Sequence, residues 1–259
     1  MTHGETWLQR VRTLFGMRRR AVHEERVDLR TWEKRIQRIV RSEVARVLPY
    51  IPEDAVIVDV GANVGFFTST ILESRPKARA YLFEPVLEHF ERARARFAKN
   101  PNVTVERIAL SDVNGRTTIY KPRHNPGGNS IVKVQVDKYT RENAVVWDSE
   151  EVDVRVFDDW AREHGVERVD FLKTDTEGND YAVLKGVLPF LDRTGSQPVI
   201  LAELLSKSLH HAWEEQQAAV EHLYRLGYER VDMENMREIE DLLFVPGPKT
   251  KATRDSGAT

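Results

Sequence analysis

An apolar run over residues 55–60 passes directly into Asp59-Val60-Gly61-Ala62-Asn63-Val64-Gly65-Phe66, and nineteen residues past Gly65 an acid, Glu84, stands in Phe83-Glu84-Pro85. Glycines at a strand end let backbone approach a ligand and let the following helix pack closely on the strand. An acid about twenty residues further on can accept both hydroxyls of a ribose. The spacing therefore predicts a nucleoside site. It is not the G-x-G-x-x-G of a dinucleotide site, where pyrophosphate rests on a helix start. Asp59 would repel a diphosphate but can pair with an ammonium. S-adenosylmethionine, with an ammonium, a sulfonium and no phosphate, fits these residues; the alternative is that Asp59 only caps the turn.

A second constellation lies at Asp175-Thr176-Glu177-Gly178-Asn179-Asp180, after the apolar run 169–174. In an open α/β sheet, ligands bind outside the carboxyl ends of the strands, near the point where strand order reverses. By itself, an acid pair there reads equally well as a helix cap. Removing a proton from a hydroxyl needs a base, and the candidates are Asp175, Glu177, Glu203 and His124. His124 belongs to Arg123-His124-Asn125-Pro126-Gly127-Gly128-Asn129-Ser130, where Asn129 and Ser130 are the expected acceptor contacts; the alternative for His124 is an ordinary surface position. His210 and His211 read as an exposed helix start. Two carboxylates make too small an oxygen set for Mg²⁺, so no metal is expected.

The elements that must position these residues follow from the hydropathy pattern. Runs at 55–60, 80–83, 103–110, 169–174 and 199–204 read as buried strands, separated by helical periodicity over 64–73, 86–99, 180–190 and 209–226. Two last strands, 228–233 and 240–245, follow without a helix between them, so the final one is expected antiparallel at or near an edge. The prediction is an α/β fold, a doubly wound and mostly parallel sheet with helices on both faces. Residues 111–157 interrupt the alternation with glycines, prolines and strand-like pieces at 117–120, 131–136 and 152–156, and no helix; this insertion is the expected acceptor loop.

Composition narrows the function. At 259 residues the chain is one domain with an appendage. It has no cysteine, which excludes disulfides, thiolate metal sites and cysteine nucleophiles. No membrane-length apolar stretch and no secretory signal is seen, and the expected location is cytoplasmic. A net charge of -2 conceals a split: residues 1–50 hold twelve Lys/Arg and six Asp/Glu, and the rest is acidic. The head, with an apolar stripe of Leu29, Trp32, Ile36, Ile39, Val40, Val44, Val47 and Leu48 and a shorter piece over 7–15, reads as a helical cap or a homodimer contact. Its removal up to residue 48 is expected to cost turnover or assembly more than fold. The domain is expected over 51–246, with a disordered tail over 247–259.

Together the motifs resemble the FkbM family of S-adenosylmethionine-dependent methyltransferases. The resemblance rests on Asp59-Val60-Gly61-Ala62-Asn63-Val64-Gly65, Phe83-Glu84-Pro85, Ala109-Leu110-Ser111-Asp112 with Gly115, Asp175-Thr176-Glu177-Gly178, Val183-Leu184-Lys185-Gly186, and Glu203. It spans about residues 55–245, and Asp180 departs from it, standing where the family usually has Glu. It implies a Rossmann-like class I methyltransferase fold and methyl transfer to a hydroxyl of a sugar or secondary metabolite. By that likeness Asp59, Gly61, Ala62, Asn63, Gly65 and Phe66 line the methionine end, Glu84 and Pro85 the ribose, and Ile108 and Ala109 the adenine, with Asp175 near the reacting centre. The other readings are a methyltransferase acting on protein or nucleic acid, and a nucleoside-binding subunit without catalysis. Against nucleic acid stand the acidic body and the missing aromatic–basic interleaving.

Overall fold

Spacing of apolar residues at three and four steps builds the first helix, α1 (Leu29–Val47), which buries Trp32, Ile36, Val40, Val44 and Val47 and leaves Lys34, Arg38 and Arg41 in water. A 3₁₀ turn carrying Pro49 ends it. The computed structural model describes residues 29–123, 125–133, 146–208, 210–231 and 239–248. The expected piece over 7–15, His124, most of the 131–136 strand and the tail from 249 onward lie outside the described residues.

Strand and helix then alternate: β1 (Val56–Val60), α2 (Phe66–Ser74), β2 (Arg79–Phe83), α3 (Leu87–Phe97) and β3 (Val103–Glu106). Next come β4 (Ala109–Ser111), β5 (Gly115–Pro122), β6 (Trp147–Val156) and α4 (Phe157–Glu163). The chain closes with β7 (Phe171–Thr174), α5 (Asp180–Thr194), β8 (Val199–Leu205), α6 (Trp213–Arg225), β9 (Tyr228–Arg230) and β10 (Ile239–Pro246). The main sheet has seven strands in the order β3-β2-β1-β7-β8-β10-β9. Its pairings are parallel except those of β10, which runs antiparallel between β8 and β9, one place in from the edge. Strand order reverses between β1 and β7, so the ends of these two strands form the crevice in which such sheets bind ligands.

Both faces of the sheet are apolar, as parallel strands covered on two sides require. Val58 and Val60 of β1 point into one core with Phe157 and Trp160 of α4, Val183, Leu184 and Val187 of α5, and Leu223 of α6. Ile57 points the other way, into a core with Phe67 and Ile71 of α2, Phe97 of α3, and the whole buried stripe of α1. α1, the described helix of the basic head, is therefore one of three helices that cover this face. Glu33 of α1 also pairs with Arg92 of α3, and Arg41 with Glu73 of α2.

Two local expectations are corrected. The run 103–110 is not one strand: it breaks after Glu106, and β4 leaves the main sheet to pair parallel with β6. The insertion forms a three-stranded sheet, β4-β6-β5, in which β5 and β6 pair antiparallel from Gly115 opposite Val154 to Pro122 opposite Trp147. Of the piece expected over 131–136, residues 131–133 are described and form no strand; Ser130, just before it, forms an isolated bridge to Tyr120. A helix, α4, follows β6 at once, its buried Phe157, Trp160 and Ala161 set three and four residues apart.

Candidate active site

The turn after β1 has its shape because two of its residues have no side chain. Gly61 has φ +72°, and a Cβ there would sit 2.0 Å from the Asp175 carbonyl oxygen. At Gly65, φ +79°, a Cβ would strike the Phe97 ring at 2.6 Å. Any larger residue would push β1 from β7, or α2 from α3. The Gly61 and Ala62 N–H groups both donate to the Phe83 carbonyl, at 3.0 and 3.1 Å, which ties the turn to the end of β2.

Glu84 continues that tie. Its Oε2 accepts from the Asn63 N–H at 2.8 Å and its Oε1 from the Val86 N–H at 2.9 Å, joining the β1–α2 and β2–α3 turns. The side chain is 4% exposed, and burial pushes its carboxyl up to about 7 despite these two hydrogen bonds. His89 stands 3.9 Å away, held down to about 4 by burial and by the nearby Lys121 and Arg92 charges.

A cleft opens between these turns and the end of β7. Gly61, Asn63, Glu84, Pro85, Ala109 and Asp175 line it, all singled out from sequence, and so does Asn129. Thr176, Asn179 and Leu110 join them. The insertion folds over the opening: the Asn63 amide reaches the Pro126 carbonyl at 3.4 Å, and Gly127 lies against the Trp32 ring of α1. Ser130 is buried, and its hydroxyl donates to the Glu177 carbonyl at 2.9 Å. It thereby supports the left-handed Glu177 backbone, φ +55°.

Five expected cofactor residues do not line the cleft. Asp59 is wholly buried beneath the turn, where its Oδ2 accepts from the Thr68 hydroxyl at 2.7 Å and its Oδ1 has no partner among the described residues. Strand parity explains this, since Asp59 shares the face of Ile57 rather than that of Val60. Ala62 packs into the core on the α1 side. Gly65 sits beneath Phe97, Phe66 lies under the Arg96 guanidinium at 4.1 Å, and Ile108 packs against the opposite core.

On the α1-facing side of the sheet, the apolar rows end in acids. Phe171, Lys173 and Asp175 alternate along β7 and its extension; Leu201 and Glu203 do so on β8, and Leu243 and Asp241 on β10. Lys173 lies in register with Asp59 and with Leu201, and Asp241 with Glu203. The Lys173 ammonium donates to Asp175 Oδ2 at 3.0 Å; burial works against its charge, and Asp175 and Asp59 overcome that and hold it above its usual range. Burial pushes Glu177 and Glu203 well above the carboxylate range, with neighbouring acids adding to it: Asp175 and Asp180 for Glu177, Glu177 and Asp175 for Glu203. The same cause raises Glu43 of α1 to about 8, with Asp241 beside it. Asp180, the departure noted above, accepts from the Thr174 hydroxyl at 2.6 Å and from the Thr176 N–H at 3.1 Å, so it shapes the turn.

Of the four candidate bases, Asp175, Glu177 and Glu203 converge, each offering an oxygen within 4.8 Å of the others'. His124 lies outside the described residues. His210 is buried with its Nδ1 accepting from the Ala212 N–H, and His211 contacts the Tyr181 hydroxyl. Lys173, Asp241 and Glu43 were not anticipated. A lysine within the apolar run of β7 was the available signal, because a buried ammonium needs acids around it.

The family model described as Methyltransferase FkbM domain matches residues 59–243. The 2-O-methyltransferase NoeI of Sinorhizobium fredii is 28% identical over 148 residues, 54% of this chain and 60% of that protein. Methyltransferase sdnD of Sordaria araneosa is 27% identical over 160 residues, 53% of this chain and 62% of that protein. The chain thus spans about three fifths of the length of these two curated relatives. The match to the AMB antimetabolite synthetase AmbE of Pseudomonas aeruginosa, 28% identical over 166 residues, covers 8% of that protein. The crystal structure of Methyltransferase FkbM from Methylobacillus flagellatus KT superposes on 74% of this chain and 44% of that one, at 16% identity and a TM-score of 0.48. Among the described residues no helix is long and apolar enough to cross a membrane.

Proposed function

The chain belongs to the FkbM methyltransferase family, and on that premise we propose that it is an S-adenosylmethionine-dependent O-methyltransferase acting on a hydroxyl of a sugar or secondary metabolite. One observation carries the reading. The cleft lining holds two acids, Glu84 and Asp175, and no Lys or Arg among the described residues. A diphosphate finds no cation there, whereas a positively charged nucleoside finds a carboxylate. The name of one relative, a 2-O-methyltransferase, favours oxygen as the acceptor atom.

S-adenosylmethionine would supply a methyl group on a cationic sulfur. Glu84, with two N–H groups already on its oxygens, keeps lone pairs for the ribose hydroxyls. Gly61 leaves room for the chain of the ligand, and Asp175 faces its positive charge. When the acceptor oxygen forms its bond to the methyl carbon, the carbon–sulfur bond breaks onto sulfur and the hydroxyl proton must go to a base. Asp175, the candidate base that lines the cleft, is the group placed to take it. Alignment of the two reactants contributes ~7–11 kcal/mol and the base roughly 10²–10⁴-fold.

Calorimetry with S-adenosylhomocysteine tests the cofactor, with one site per chain expected; no heat at millimolar ligand ends the proposal. Labelled methyl transfer across a panel of hydroxylated acceptors tests the oxygen. Transfer to amines or to protein alone would replace it with the second reading.

A further inference from the structure

We propose that Asp175, Glu177 and Glu203 form a site for one divalent, oxygen-preferring cation, Mg²⁺ or Mn²⁺, on the α1 side of the cleft. Each offers one carboxylate oxygen, and the three lie within 4.8 Å of one another, which is the spread of oxygens around a cation bound at ~2.0–2.6 Å. The set is all oxygen, which favours Mg²⁺, Mn²⁺ or Ca²⁺ over zinc or copper.

Proximity of acids alone would not make a site. Glu203 is 4% exposed, sits on the inward face of β8, and receives no hydrogen bond from any described residue. Glu177 Oε1 is enclosed and likewise without a partner. Enclosed carboxylate oxygens without donors are costly unless a cation meets them. Among the described residues, protein cations beside these acids are few. Lys173 is committed to Asp175 at 3.0 Å and also serves Asp59, while Arg46 lies toward Glu43 and Asp241. Ionised, the three carboxylates beside the Lys173 ammonium would carry a charge of about minus two, which one divalent ion would match in place of the protons that burial otherwise holds on Glu177 and Glu203.

The scaffold holds the three side chains without using their free oxygens. Ser130 fixes Glu177 through its backbone carbonyl, the Gly61 contact fixes the Asp175 backbone, and the β8–β10 register fixes Glu203. Three protein ligands leave about three of the ~six positions of such an ion open. Asp175 also lines the cleft, so those positions face an acceptor able to offer two adjacent oxygens, as a vicinal diol or a hydroxy acid does. That last role rests on the methyl-transfer reading; the cation site does not.

Titration of the full-length, ligand-free protein with Mn²⁺, followed by electron paramagnetic resonance, separates the two. One tight site per chain is expected. Glu203→Gln and Asp175→Asn should each weaken it roughly tenfold or more, while Asp153→Asn, an exposed carboxylate paired with Arg116, should leave it unchanged. Should Glu203→Gln not fold, Glu177→Gln at the less buried corner decides in the same way. Mn²⁺ that binds without one-per-chain stoichiometry, or with an affinity the site substitutions do not alter, overturns the proposal. Mn²⁺ binding beside absent S-adenosylhomocysteine binding would keep the cation site and defeat the methyl-transfer reading.

Discussion

Glu84 combines three functions in one carboxylate: it staples two turns, it faces the cleft, and it is held near neutrality in its proton affinity. Its folded value of about 7 lies above an ordinary value of 4.5, so the fold favours the protonated form. Its contribution to stability is therefore full below about 4.5 and declines as pH rises toward about 7. Ligand binding runs the other way, because ribose hydroxyls donate best to the ionised form. The expected outcome is that S-adenosylhomocysteine affinity rises as pH crosses 7. Glu84→Gln should lose about 1.5–3 kcal/mol of binding, roughly 10–100-fold in Kd, and flatten that profile. Calorimetry at several pH values checks both, and an unaltered Kd in the variant removes Glu84 from the ribose. At this scale the sequence was legible where residue type and turn geometry coincide, as at Gly61, Asn63, Glu84 and Asp175. At Asp59 the residue type suits an ammonium, while strand parity turns the side chain into the core, which the residue type does not announce.

Among the elements, α1 shows why a helix can be read while its partner cannot. The stripe from Trp32 to Val47 announces that something covers it, but β1, β7 and β8 are apolar on both faces and give no sign of which helix each face receives. The break at residue 107 was illegible for a related reason. Residues 103–110 continue one extended pattern, and only the pairing of β4 with β6 divides it. α4, seven residues long, offers too little sequence for a helical period to show. The packing of α1 alters what its removal should do. Trp32 is 5% exposed, and Trp32→Ala should cost about 3–5 kcal/mol. Deleting residues 1–48 strips five buried apolar side chains from one sheet face, against a total stability of about 5–15 kcal/mol. We therefore expect the truncated chain to lose its cooperative melt, not only turnover or assembly. A sharp thermal transition by circular dichroism in that chain would show that the face is covered some other way.

For the molecule as a whole, the charge split acquires a structural meaning. In α1, Arg41 pairs with Glu73 of α2 and Glu33 with Arg92 of α3, while Glu43 joins the acidic layer at the strand ends. α1 thus helps to cover the sheet face on which these acids lie, and Glu84 and Asp175 put negative charge where a positive ligand would enter. Such a site couples binding to global stability, since an unfolded chain has neither the turn nor the acidic layer. S-adenosylhomocysteine at about a hundred times its Kd should stabilise the fold by about 2.7 kcal/mol. For a domain of this size that raises Tm by about 5–10 °C in differential scanning calorimetry. The shift should shrink in Glu84→Gln by the affinity that variant loses, because both are set by one binding free energy. A Tm that does not move at saturating ligand would mean that the cleft between β1 and β7 takes no such nucleoside, however well its residues match one.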